Sequence, residues 1–300
     1  MSFSPQKFAA PGLVIGCIVF GLGSLIVKFV PLGAYAMAFW RLLIAAVVFW
    51  LLMRFFGQHL PRHAKARRYA YLSGVFLAFD LAFWHESIHA VGPGISTLLN
   101  SLQIFFLAAI ARVFFQERLG RVQFFSLFVA ISGVALIAAP ELNRNVQAAY
   151  GIFIGLASGA MLALSMSCIR QVHRVEPTGI FALMLMLSLS GMAALLVPTL
   201  WLDAGKMLPT AWRDIGLIMI YGIVMQCMAW GLIAYAIPLL SLTLTGLLLL
   251  TEPVAALGID YFLLDKPINA WQWLGAALTL FAIYLGSLKP QLENKTLAET

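Results

Sequence analysis

Apolar residues run along this chain in blocks of about twenty, each closed by Gly, Pro or charge, and none shows the alternation of a half-buried strand. The blocks predict ten spanning helices, at 11–30, 34–55, 69–89, 93–116, 122–139, 150–169, 178–201, 212–236, 239–264 and 270–288. Each lies near the ~20 residues that cross a hydrocarbon core of about 30 Å. The expected fold is therefore an all-α integral membrane protein; without a period of two, a transmembrane barrel is set aside.

Polar punctuation between the blocks orients them. With the N-terminus cytoplasmic, thirteen Lys and Arg fall on the inner side, with Arg54, Arg62, Lys65, Arg67 and Arg68 the densest group, against five outside: Lys28, Arg144, Lys206, Arg213 and Lys266. The excess puts both termini inside, as expected of a multi-pass protein of a bacterial-type inner (plasma) membrane. The short segment 1–10 and the long apolar run after it do not read as a signal peptide, and Ala34-Tyr35-Ala36, which mimics a cleavage site, is followed at once by a second span.

Composition agrees. Of 300 residues 62% are hydrophobic and 10% charged, with mean hydropathy +0.94, against roughly 25% charged in a soluble domain. The net charge of +7 is spread between apolar runs rather than along a groove, so no nucleic-acid partner is expected. Cys17, Cys168 and Cys227 fall inside spans without metal-ligand spacing. There is no Walker A loop or Gly-rich dinucleotide fingerprint, which argues against an ATP-driven pump, and no cofactor is expected.

The candidate chemistry lies in polar residues that interrupt the apolar blocks. Thr251-Glu252-Pro253 sits at the centre of the ninth span, where an ionisable group costs several kcal/mol unless it faces protein or water. Pro253 lacks an N–H and disturbs the preceding turn, so acid and helix defect share one depth. Asp80 lies midway along the third span with Trp84 one turn on, and Gln226 and Trp230 repeat that pairing in the eighth. An acid with two indoles suits a cationic or aromatic solute. Ser96, Asn100 and Gln103 share a helical face at i, i+4 and i+7. Arg41 and Lys28 can counter the acids or attract an anionic group. Gly151, Gly155 and Gly159 read as close helix packing. His85-Glu86-Ser87-Ile88-His89 matches the H-E-x-x-H zinc pattern, although catalytic zinc usually needs a third protein ligand.

The chain also repeats itself. Sliding it by 149 positions sets Leu98-Leu99 on Leu247-Leu248, Gln103 on Glu252 and Gln123 on Gln272. Five spans per half is an odd number, so the second half enters the membrane inverted, the plan of many secondary transporters. The expected organisation is 1–142 and 150–290 as five-helix repeats around a central cavity, with 143–149 a linker and 291–300 a cytoplasmic tail.

Gly21 to Lys28, then Ala38-Phe39-Trp40-Arg41-Leu42, Phe83-Trp84-His85-Glu86-Ser87-Ile88 and Phe114-Phe115-Gln116-Glu117-Arg118-Leu119 with Gln123 and Gly133 resemble the EamA half-repeat of the drug/metabolite transporter superfamily. The second half resembles it through Glu252-Pro253-Val254, Gln272 and Gly275-Ala276. The resemblance implies a ten-helix basket with a central cavity that exports amino acids or related metabolites. Where it implies a glutamate near the end of the ninth span, this chain has Asp265-Lys266.

The expected function is thus secondary-active export of small polar metabolites such as amino acids, by alternating access and with proton coupling, by a monomer or homodimer that is not an enzyme. Asp80, Trp84, Ser96, Asn100, Gln103, Gln226, Trp230 and Glu252 are the expected solute-binding residues, and Glu252 and Asp80 the coupling groups. The alternatives are an intramembrane zinc protease built on His85 and His89, and a channel-like facilitator.

Overall fold

A computed structural model describes residues 5–116, 120–138, 148–264 and 269–287. The 143–147 part of the expected linker, the tail 291–300, Glu117-Arg118-Leu119 and Asp265-Lys266 lie outside the described residues. So do the side chains of Lys28 and Gln123.

Among the described residues the chain is all-helical and has no strand. The helices are α1 (Pro5–Gly21), α2 (Gly23–Phe29), α3 (Ala34–Phe55), α4 (Ala64–Val91), α5 (Pro93–Ser101), α6 (Gln103–Phe114) and α7 (Arg121–Ala138), then α8 (Ala148–Val175), α9 (Ile180–Leu202) and α10 (Trp212–Ile220). A π segment (Tyr221–Trp230) leads into α11 (Gly231–Ala236), followed by α12 (Leu242–Leu249), α13 (Thr251–Leu264) and α14 (Ala270–Ser287). Four described stretches are long and apolar enough to span a membrane: Ala34–Phe55, Ala149–Val175, Ile180–Leu202 and Trp212–Leu239. Large apolar side chains such as Phe55, Phe114, Phe124, Phe153, Trp201 and Trp212 are exposed on the surface, as lipid-facing positions require.

Three of the expected spans contain a turn. α1 passes to α2 at Leu22, between Gly21 and Gly23; α5 passes to α6 at Leu102; α12 passes to α13 at Leu250. The last two turns have the same backbone, φ −66 and ψ −6 at Leu102 against φ −66 and ψ −5 at Leu250. Each tightens through an i−3 bond, from Leu102 N–H to Leu99 O at 3.2 Å and from Leu250 N–H to Leu247 O at 3.1 Å. Their causes differ. Ser101 Oγ donates to Thr97 O at 2.7 Å, a back-bond that bends a helix. In the second case Pro253 is the third residue of α13, so its ring crowds the carbonyl four residues earlier and the chain turns at Leu250, a turn ahead of the proline. Leu102 and Leu250 stand one position short of the 149-residue shift.

α4 packs on α8 and α9, α3 on α9 and the π segment, α1 on α11, α13 and the π segment, α5 on α8, α6 on α12, and α7 on α14. Glycines set the closest approaches: a Cβ at Gly133 would meet Gly275 O at 2.6 Å, and one at Gly159 would meet Asn100 O at 2.9 Å. The Gly151-Gly155-Gly159 face is thus used within the chain, against α4 and α5.

The loops are tied to helix ends. Asp203, after α9, accepts the Ala36 N–H through Oδ2 at 2.8 Å and so caps the first turn of α3. Gly33 is needed beside it, since a Cβ there would strike the Asp203 carboxylate. Trp40 Nε1 donates to Met207 O at 2.8 Å. Elsewhere, the Glu176 carboxylate accepts the backbone N–H groups of Arg62 at 3.0 Å and His63 at 2.7 Å. Gln58 Oε1 accepts those of Phe181 at 2.9 Å and Ala182 at 3.2 Å.

Candidate functional site

The turns at Leu22, Leu102 and Leu250 bring Phe20, Asn100 and Glu252 to the wall of one internal cavity, facing Asp80 and Trp84 of α4 and Trp230 of the π segment, with Leu77, Leu81, Leu162, Ile233 and Leu249 completing it. Its volume is about 10 Å³, room for about one water molecule. In this conformation it is shut around its polar groups.

The two acids are held differently. Asp80 Oδ1 accepts Asn100 Nδ2 at 2.8 Å and Ser158 Oγ at 2.6 Å, while Asn100 Nδ2 also contacts Ser158 Oγ at 2.6 Å. One carboxylate thereby joins α4, α5 and α8. Glu252 is the second residue of α13, where free N–H groups and the helix dipole favour negative charge. No side chain among the described residues hydrogen-bonds to it.

Behind Phe20 lies a fully buried basic cluster. Arg41 donates from Nε to Gln226 Oε1 at 2.6 Å and from Nη1 to Tyr221 OH at 2.8 Å. Its Cζ stands 4.7 Å from the Phe20 ring centroid and 4.6 Å from that of Tyr221. Because Tyr221 accepts from Arg41, its own proton goes to His85 Nε2 at 2.7 Å, and His85 Nδ1–H donates to Ala34 O at 3.0 Å. Arg41 acts electrostatically on both Asp80 and Glu252, but no ion pair joins it to either among the described residues.

Five of the eight sequence-derived site residues therefore meet at the cavity: Asp80, Trp84, Asn100, Trp230 and Glu252. Gln226 stands in the Arg41 cluster. Ser96 donates to Trp84 O at 3.0 Å, and Gln103 is buried with its Oε1 unpartnered, beyond the turn at Leu102. Residues not singled out from sequence are Phe20, Ser158 and Tyr221. The H-E-x-x-H stretch is split: both His85 nitrogens serve protein partners, whereas Glu86 and His89 line a separate mouth of about 640 Å³ with Gly33, Asp203 and Lys206. No group of three His, Cys, Asp or Glu suited to a metal occurs among the described residues.

A family model described as the EamA-like transporter family matches this chain twice, over residues 7–139 and 149–288. The chain belongs to the EamA-like transporter family. It is accordingly a multi-pass membrane transporter of the drug/metabolite transporter superfamily, with its apolar helices in the bilayer. An uncharacterized transporter of Synechocystis sp. is 24% identical over 230 residues, which cover 70% of this chain and 68% of that one. A protein of known crystal structure superposes with a TM-score of 0.76 at 14% identity, over 96% of this chain and 98% of that one, and so shares the fold of this family member.

Proposed function

We propose that this transporter exports small polar metabolites such as amino acids by alternating access, coupled to protons, from a bacterial-type inner membrane with both termini cytoplasmic. The proposed frame is ten spans in two inverted five-helix repeats, 1–142 and 150–290. The packing supports it, because exchanging the halves maps the partners onto one another. α4 on α8 becomes α1 on the π segment and α11, α5 and α6 on α8 become α12 and α13 on α1, α6 on α12 becomes α13 on α5, and the α3–α9 and α7–α14 pairs map onto themselves.

The observation that carries the reading is the unequal holding of two acids in one closed cavity. Asp80 is committed to Asn100 and Ser158 and positions them, whereas Glu252 has both oxygens available. A deprotonated Glu252 can hold a cationic group, and a proton arriving on it releases that group. Alternating exposure of the cavity then couples solute exit to proton entry. Glu252→Gln keeps shape and removes the titratable group, so the protein should fold, transport in proteoliposomes should fall about tenfold or more, and the remainder should ignore an imposed pH gradient. Wild-type transport with an unchanged pH response in that variant would end the proposal.

A further inference from the structure

Inside a bilayer a buried N–H has no solvent acceptor to fall back on, so nearly all find one in the protein. Four donors of this cluster do not: Arg41 Nη2, Gln226 Nε2, Trp84 Nε1 and Trp230 Nε1. Their residues are at most 3% exposed. These residues come from α3, α4 and the π segment, and the side chains of three of them, Arg41, Trp84 and Trp230, surround one ring. The Phe20 centroid lies 4.7 Å from Arg41 Cζ, 6.0 Å from the Trp84 ring and 6.2 Å from the Trp230 ring. Gln226, bound through its carbonyl oxygen to Arg41 Nε at 2.6 Å, carries its free amide N–H₂ in the same group.

Unsatisfied donors of one kind, one of them cationic, describe a site for an acceptor-rich anion. We infer that Arg41, Gln226, Trp84 and Trp230 form a carboxylate subsite, covered in this conformation by the Phe20 ring, so that the exported solute carries a carboxylate besides the cationic group taken by Glu252. The inference rests on the transporter reading and narrows its substrate class to zwitterionic carboxylates. Phe20 is suited to the covering role. Its face covers the guanidinium by a cation–π contact. It is also two residues from the Leu22 turn, where the chain between Gly21 and Gly23 can rotate without breaking a long helix. A cavity with room for about one water admits a solute only when a wall moves, and Phe20 is a wall residue whose ring also lies against the Arg41 guanidinium.

The test measures thermal shift and tryptophan fluorescence of the purified full-length protein with three matched mixtures: the common amino acids, their carboxamides and the corresponding decarboxylated amines. Amino acids should bind, with amides and amines weaker by about tenfold or more. Phe20→Leu, which uncovers the guanidinium and stays apolar, should tighten amino-acid binding by about threefold to tenfold. Arg41→Gln should abolish the preference; should that variant fail to fold, Phe20→Leu decides alone. Amines binding as well as amino acids, or no tightening in Phe20→Leu, would overturn the subsite and leave the Glu252 transporter reading standing. If no mixture binds and none crosses in proteoliposomes, both readings fail together.

Discussion

The pair formed by α4 and α8 is continuous over 28 residues on each side, whereas the pair that α1 makes with the π segment and α11 is interrupted on both. α4 and α8 are joined along their length by hydrogen bonds. Ser73 Oγ donates to Ser165 O and Ser165 Oγ to Ser73 O, each at 2.9 Å; Ser87 Oγ reaches Gly151 O at 2.9 Å; and Ser158 reaches Asp80. Such bonds contribute about 0.6 kcal/mol apiece in a bilayer, enough together to hold the two helices in one register. On the other side α1 carries Pro11 and stops at Leu22, and its partner is wound as a π-helix for ten residues, a form usually confined to single turns at functional positions. Its contacts at Gly12 and Gly16 are with Leu232, Ile233 and the Ala229 backbone. One pair is bonded along its length and the other is broken on both helices, so deformation around the cavity is expected on the α1 side rather than between α4 and α8.

The contrast is broken most directly through the two acids. Asp80→Ala strands the Asn100 and Ser158 donors and should cost about 3 kcal/mol or more. Glu252→Ala, on α13 against α1, should cost less than about 1 kcal/mol, since no hydrogen bond is lost. Thermal denaturation in detergent measures both, and equal losses would erase the distinction.

A smaller effect sharpens the same contrast with one chemical change on each side. A Cβ at Gly159 would stand 2.9 Å from Asn100 O, and one at Gly16 2.8 Å from Ala229 O. Gly159→Ala has to push α8 from the α5–α6 turn and should cost about 1–3 kcal/mol. At Gly16 the clash is also with backbone, but the pair is already interrupted on both sides, so Gly16→Ala should cost about 1 kcal/mol, less than Gly159→Ala, while changing the transport rate. A melt that drops more for Gly16→Ala than for Gly159→Ala would reverse the assignment of the flexible side.

The smallest effect is at the loop that closes the α4–α8 pair. The backbone N–H of Arg62, and next that of His63, holds the Glu176 carboxyl below the usual carboxylate range. A depressed pKa stabilises above the ordinary glutamate value and loses that contribution as pH falls through the depressed one, so the tie is intact at neutral pH and released only in acid below the ordinary glutamate range. Amide exchange at Arg62 and His63 should therefore accelerate on acidification beyond its intrinsic trend in wild type. In Glu176→Gln that extra response should be missing.

How much of this could be read from sequence depended on whether a residue breaks its local pattern. Asp80, Asn100 and Glu252 stand out as polar groups in apolar runs, and Trp84 and Trp230 as indoles one turn from a polar partner. Helical spacing failed where the helix itself stops. Ser96, Asn100 and Gln103 share a face only if the span is continuous, and the Ser101 back-bond and Leu102 turn take Gln103 out of line. Pro253 signalled a defect but the chain turns at Leu250, because a proline disturbs the turn before it. Phe20 is one of 22 phenylalanines in an apolar chain, and only its contacts distinguish it. Ser158 was hidden inside a glycine stripe that reads as packing, and the ten-residue π segment has no compositional mark at all.

The Asp203 cap has a consequence in time. Ala36 and Trp40 each take their partner from a residue 167 positions later. A chain emerging at about 5–20 residues per second leaves α3 waiting on the order of ten to thirty seconds for it. Through that interval the Ala36 N–H and the Trp40 indole lack these partners, and they gain them only when residues 203–207 arrive. This short loop is thus a late latch on biogenesis, and damage to it should reduce the number of transporters assembled before it alters how fast each one works.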